Sequence, residues 1–205
     1  GLACGGINDK HIVVSAILEL IHSATLLHDD VIDEGEKRRG FATINKLCGN
    51  ESAVLLGDLL LSCAFGMCPG LEPEIIRIIA DTTSRVCRGE IRQTQQRKNR
   101  HLTEEEYIDI IREKSAVFFS NCCIIGAKLA GADDAAIQAL AEFGLNFGTA
   151  FQITDDLLDI VADENNADKT PGTDDNKNKL TLAVIYLLSR LPEEEKEPFC
   201  EKIAS

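Results

Sequence analysis

Two aspartate clusters with the same spacing, Asp29-Asp30 with Asp33 and Asp155-Asp156 with Asp159, interrupt apolar stretches whose hydrophobic residues recur with a helical period. Carboxylates avoid such surroundings unless something pairs with them. On a helix, positions i and i+4 are neighbours, about 5–6 Å apart at Cβ. Asp29 with Asp33, and Asp155 with Asp159, therefore each form a small claw of oxygens. Like charges held so close repel, and a hard divalent cation offsets that repulsion. Mg²⁺ takes a few carboxylates, retained water and substrate phosphates. Two facing claws imply several Mg²⁺ ions clamping a diphosphate between two helices.

Either cluster alone is equally well explained as the solvated face of an acidic helix. The neighbours shift that balance. Arg38-Arg39-Gly40 follows the first cluster at once. Gln152 precedes the second, and Lys169, Asp174 and Lys179 follow it. Cations beside carboxylates suit a metal-bridged polyphosphate.

A length of 205 residues suits one domain, 1–205, able to bury a sizeable core. With 44% hydrophobic and 27% charged residues the chain is ordinary globular protein. A formal net charge of −13 argues against nucleic acid and against a polybasic membrane anchor. It would also repel a diphosphate, which local cations and metal must therefore receive. The eight cysteines show neither CxxC pairs nor Cys/His ligand spacing, so a zinc site is not expected. Most fall in apolar helical stretches and read as buried thiols, which suits a reducing cytoplasm. No signal peptide is evident, and no apolar run of about 18 or more residues is expected to span a membrane.

The pattern is helical almost throughout, with only five prolines and little β-type alternation. Helices are expected over 11–34, 51–67, 72–97, 103–130, 134–162 and 179–190, with an acidic helix after Pro192. Gly40 to Gly49 and Asp163 to Asn178 read as loops. Thr103 with Glu106 makes a capping box, and Asp134 caps the following helix. The expected fold class is all-α: a single-domain bundle of long helices around a central cavity.

The blocks ELIHSATLLHDDVIDEGEKRRG, GNESAVLLGDLLL, GEIRQ, EKSA, FGTAFQITDDLLD and KTPGTD, in that order, resemble the trans-isoprenyl diphosphate synthases, or polyprenyl synthetase family. The likeness runs from about Ile12 to Ile185 and implies the isoprenoid-synthase type of helical bundle. It implies head-to-tail condensation of isopentenyl diphosphate with an allylic diphosphate such as geranyl or farnesyl diphosphate, in a cytoplasmic homodimer. Asp29, Asp33 and Asp155 would ligate Mg²⁺, three ions in all, with Asp30, Asp156 and Asp159 supporting or ligating through water. Arg38, Lys114, Lys169 and Lys179 would contact the allylic diphosphate, and Arg39 and His22 isopentenyl diphosphate. Gln152 and Ser115 would sit beside the reacting carbons; the family usually has Thr at the latter position. The family's upstream GGKxxRP-like motif and its basic C-terminal tail have no match, so the N-terminal part and the tail of the domain are expected to be missing. Half of the isopentenyl site is expected to be missing with them.

Several residues also have plainer readings. A lone His on an apolar helix, as His22 is, is commonly structural, and Lys114 without its EKSA context would be a surface lysine. His28 reads as helix packing or support for Asp29. Asp58 reads as a structural hydrogen-bond partner, and Asp174 as orienting the Lys169 loop.

Product length is expected to depend on the helix that carries Asp29. Thr25, Ala24, Ile21 and Leu18 face one side of it, and each turn rises about 5.4 Å, close to one isoprene unit. Ala24 and Thr25 are too small to stop growth, so a product of C20 or longer is expected; the plainer reading is that they simply pack closely. Three alternatives remain at this stage: a terpene cyclase or head-to-head coupling enzyme on the same framework, a non-catalytic subunit of a heteromeric prenyl synthase, and an acidic helical domain that merely binds cations.

Overall fold

The computed structural model describes residues 1–97, 99–161 and 180–203. The first long helix, α1 (Asp9–Ile32), opens at Asn8. The Asn8 side chain accepts from the His11 backbone N–H, and the His11 ring accepts from the Asn8 N–H, giving a reciprocal cap. One face of α1 buries Val14, Ile17, Leu18, Ile21 and Ala24. By length and composition α1 could cross a membrane, contrary to the expectation that no segment would. Its apolar face is instead occupied within the bundle, and its last turns carry Asp29 and Asp30, charges that hydrocarbon disfavours.

Beyond α1 come a two-stranded ribbon, β1 (Lys37–Arg38) with β2 (Phe41–Ala42), and then the short α2 (Ile44–Cys48). The helices α3 (Asn50–Gly66), α4 (Pro73–Gln95), α5 (Glu104–Ile111), α6 (Val117–Leu129), α7 (Asp134–Val161), α8 (Leu182–Arg190) and α9 (Glu193–Ile203) follow. Among the described residues the architecture is all-α apart from the ribbon.

Two apolar clusters hold the bundle. The first joins Ile17 and Ile21 of α1 to Ala64 of α3, Ile75 and Ile79 of α4 and Ile125 of α6. Each fully buried isoleucine contributes roughly 1.5–3 kcal/mol relative to exposure. The second joins Tyr107, Ile110 and Ile111 of α5 to Val184, Ile185 and Leu188 of α8 and Cys200 of α9.

Four local expectations are corrected. The segment from Gly40 to Gly49, expected as a loop, holds β2 and the short helix α2. The helix expected over 103–130 is interrupted by a π-helical turn, Arg112–Ala116, between α5 and α6. The N-cap of α7 is Asp133, whose carboxylate accepts from the Ala136 N–H at 2.8 Å; Asp134 is the first helical residue. Of the cysteines, only Cys68 and Cys200 are buried, while Cys48, Cys63 and Cys87 are exposed. Apolar neighbours along the chain did not put those three on the inward face.

Candidate active site

The first aspartate cluster closes α1. Asp33 is its C-cap, donating its N–H to the Asp29 carbonyl at 2.7 Å. The chain then turns back through Arg39 and Gly40, both at positive φ (52° and 78°), as a two-residue type I′ hairpin demands. That turn brings Arg38 onto Asp30. The guanidinium donates through Nε and Nη2, at 2.9 and 2.7 Å from Oδ1. Burial works against the charged guanidinium, but the hydrogen bonds to Asp30 and the charges of Asp30, Asp29 and Asp155 hold it above its ordinary pKa. Asp155 acts on it from the second cluster. Thr43 and Asn45 both donate to the Gly35 carbonyl, at 2.7 and 3.0 Å, fixing the return of the chain.

Two close approaches position the π turn between α4 and α7. A Cβ on Gly89 would lie 2.3 Å from the Lys114 backbone nitrogen, and one on Gly148 would lie 2.7 Å from the Ala116 Cα. Arg92 donates to Glu113 at 3.0 Å and ties the same turn to α4. π-Helical turns occur largely at functional sites, because they re-aim side chains that a regular helix would stack. Here Lys114 Nζ pairs with Glu90, donates to Gln93 Oε1 at 2.8 Å and lies 3.8 Å from Asp29 Oδ2.

The next residue, Ser115, faces the second cluster. Its hydroxyl donates to Gln152 Oε1 at 2.5 Å. Gln152 Nε2 donates to Asp156 Oδ1 at 2.8 Å, and the Tyr107 hydroxyl donates to Asp156 Oδ2 at 2.6 Å. Asp156 is 2% exposed. Asp155 and Asp159, on the same helix, are only partly buried.

The polyprenyl synthetase family model matches residues 3–204. The chain belongs to the polyprenyl synthetase family. It is 37% identical over 191 residues to a nonaprenyl diphosphate synthase of Mycobacterium tuberculosis, a match covering 93% of this chain and 56% of that protein. The structure of a decaprenyl diphosphate synthase from Rhodobacter capsulatus superposes with a TM-score of 0.86 at 37% identity, covering 95% of this chain and 60% of that one. A polyprenyl synthase from Caulobacter crescentus, complexed with calcium and isoprenyl diphosphate, gives 0.86 at 31% identity, covering 98% of this chain and 66% of that one. The chain thus spans somewhat over half the length of the curated relatives it matches.

In this member of the family the other expected site residues divide. His22 is half-buried, 5.8 Å from the Phe118 ring, and burial lowers its pKa, with Glu19 opposing and Arg39 and Arg38 reinforcing. Arg39 is exposed at the hairpin tip. His28 packs against Gly57, where a Cβ would meet its ring at 2.2 Å, and lies 3.5 Å from Asp58. Lys169, Asp174 and Lys179 lie outside the described residues. Ala24 and Ile21 are fully buried and Leu18 nearly so, while Thr25 is half-buried and donates to the His22 carbonyl at 2.8 Å. A cavity of about 250 Å³ runs between α1 and α6 past His22, Leu18, Phe118, Cys122 and Ile125. None of the aspartates lines it, and of the four expected chain-length residues it touches Leu18.

Arg97, just past α4, was not anticipated as a site residue. Its Nη2 donates to Asp33 Oδ1 at 2.6 Å. Cys87 of α4, an exposed residue, was also missed; partial desolvation raises its thiol pKa, and Asp29 and Glu90 add to that.

The carboxylates suit a hard cation by donor type. Among the described residues no three His, Cys, Asp or Glu side chains gather into a metal cage. Mg²⁺ takes one or two carboxylates plus substrate phosphates, the donor type that Asp29 and Asp155 offer.

Proposed function

We propose that this chain carries the site of a Mg²⁺-dependent prenyltransferase. It would condense isopentenyl diphosphate head-to-tail with an allylic diphosphate, giving a trans-polyprenyl diphosphate of C20 or longer. One observation carries the reading: consecutive residues of a single π turn reach the two clusters, Lys114 towards Asp29 and Ser115 towards Gln152 and Asp156. A diphosphate held at Lys114 would therefore place its allylic carbon beside the Ser115–Gln152 pair.

Asp29, Asp33 and Asp155 are the residues that would hold Mg²⁺, with Asp159 in support. Bound Mg²⁺ would neutralise the diphosphate and stabilise it as a leaving group. Lys114 adds a cation to the same end, at low exposure, where its charge is weakly screened. At the carbon end, positive charge develops as the C–O bond breaks. The oxygens of Gln152 and Ser115 face that charge as neutral dipoles, and a basic amine there would quench it. No described side chain is an evident base for the final proton, and the departed diphosphate is a suitable acceptor.

Leu18, on the cavity between α1 and α6, supports a product channel along α1, and relatives named for nonaprenyl and decaprenyl products support a long one. Exposed Leu55, Leu59 and Phe65 on α3 suit a homodimer contact. All eight cysteines are free thiols, compatible with a reducing cytoplasm.

The experiment is incubation of the protein in its full encoded length with farnesyl diphosphate, isopentenyl diphosphate and Mg²⁺, with products weighed by mass spectrometry. A ladder ending at one discrete polyprenyl diphosphate is expected. No product from folded protein overturns the reading.

A further inference from the structure

We infer that Tyr107 is a positioning residue for prenyl transfer: through Asp156 it holds the Gln152 amide with its oxygen towards Ser115. This rests on the prenyltransferase reading above. The chain of contacts is continuous, from the Tyr107 hydroxyl to Asp156 Oδ2 (2.6 Å), from Gln152 Nε2 to Asp156 Oδ1 (2.8 Å), and from Ser115 Oγ to Gln152 Oε1 (2.5 Å).

A glutamine amide has two ends of nearly equal shape and opposite polarity. Which end faces the reaction matters, because an oxygen stabilises developing positive charge and an NH₂ group opposes it. An ionised carboxylate only accepts hydrogen bonds. Asp156 therefore selects the NH₂ end of Gln152 and turns the oxygen away from itself, towards Ser115.

A buried carboxylate needs its own donors to hold one rotamer. Tyr107 supplies one at the short distance of a charge-assisted bond. Its ring is 2% exposed and anchored in the second apolar cluster with Ile110, Ile111 and Val184. The phenol is thus a fixed post outside the cleft, and Asp156 transmits its position. The two adjacent aspartates of the second cluster then do different work: Asp155 is placed for metal, and Asp156 orients an amide.

The test is a double-mutant cycle in the full-length protein, crossing Tyr107→Phe with Gln152→Ala and reading kcat and both KM values at saturating Mg²⁺. Tyr107→Phe removes one oxygen and keeps the buried ring. It is expected to lower kcat about tenfold with KM within about twofold, and to cost less than about twofold once Gln152 is alanine. An equal loss in both backgrounds makes Tyr107 merely structural and overturns the inference, as does an unchanged kcat. If Tyr107→Phe does not fold, Asp156→Asn takes its place in the same cycle.

Wild-type protein without turnover would overturn the proposed function, and the positioning claim is then read by NMR. Slowly exchanging Gln152 side-chain amide protons that become fast in Tyr107→Phe support it. Slow exchange in both proteins, or fast exchange already in the wild type, overturns it.

Discussion

Arg38 grips Asp30 through two guanidinium nitrogens, while Asp29, one residue earlier, lies 3.8 Å from Lys114 across the cleft. The second cluster has the same division. Asp156 accepts from Tyr107 and Gln152, while Asp155 beside it is partly exposed and its charge reaches Arg38. In each cluster the second aspartate accepts from protein donors, and its neighbour is the proposed metal ligand.

That division predicts separable phenotypes. Asp30→Asn should cost about 1.5–3 kcal/mol of stability, the scale of a hydrogen bond to a charged group, with the half-saturating Mg²⁺ concentration changed less than twofold. Asp29→Asn should leave stability nearly unchanged and raise the Mg²⁺ requirement at least about tenfold, since it removes a proposed ligand. Denaturant unfolding and Mg²⁺ titration of turnover separate the two. Equal effects of the two variants on Mg²⁺ would contradict the division.

Gly89→Ala should damage activity more than stability. The new methyl would meet the backbone of Lys114 at 2.3–2.5 Å, where no flexible side chain can yield. Overpacking of this kind costs about 1–3 kcal/mol, and a shift of about 1 Å at Lys114 can cost on the order of 100-fold in rate. Gly66→Ala is the control, since nothing lies within 4 Å of its Cβ position. It should keep activity and gain up to about 1 kcal/mol.

Folding stability should fall with acid just below pH 6.5 because of His22. Burial lowers its folded pKa below the ordinary 6.5, with Glu19 and Asp29 opposing and Arg39 and Arg38 reinforcing. Between the two pKa values the unfolded chain binds more protons than the folded one, so acid favours unfolding there. His22→Asn should flatten that part of the curve. Chemical denaturation at pH 7.5, 6.5 and 5.5 measures it, and parallel curves for the two proteins would refute this assignment.

Arg97 holds the Asp33 oxygen that a metal would need. Removing a competing cation strengthens metal attraction, so Arg97→Ala should lower the half-saturating Mg²⁺ severalfold. A raised requirement would show instead that Arg97 assists the metal-bound state.

Ala24 is fully buried five residues before Asp29, on the inward face of α1. Ala24→Phe should shorten the final prenyl product. An unchanged product mass would mean that Ala24 is only a packing residue.

The helical frame was legible because apolar periodicity and caps agree, as at the Thr103–Glu106 capping box, which forms as expected. The two clusters were legible from their spacing. The division of labour within each was not, since it depends on partners distant in sequence: Asp156 is fixed by Tyr107 from another helix, and Asp33 meets Arg97 through a segment that looked like a plain helix end. The π turn leaves no periodic signature, and it is specified by the close approach of Gly89 and Gly148. The ribbon around Arg39-Gly40 has strands of two residues, too short for alternation to register.

The most direct test of the central claim, that both aspartate clusters hold one metal-bridged diphosphate, is calorimetric titration of inorganic diphosphate with and without Mg²⁺. Wild-type protein should bind only with Mg²⁺, and Asp29→Asn and Asp155→Asn should each abolish the binding. Binding without metal, or binding that survives the loss of either aspartate, would contradict it.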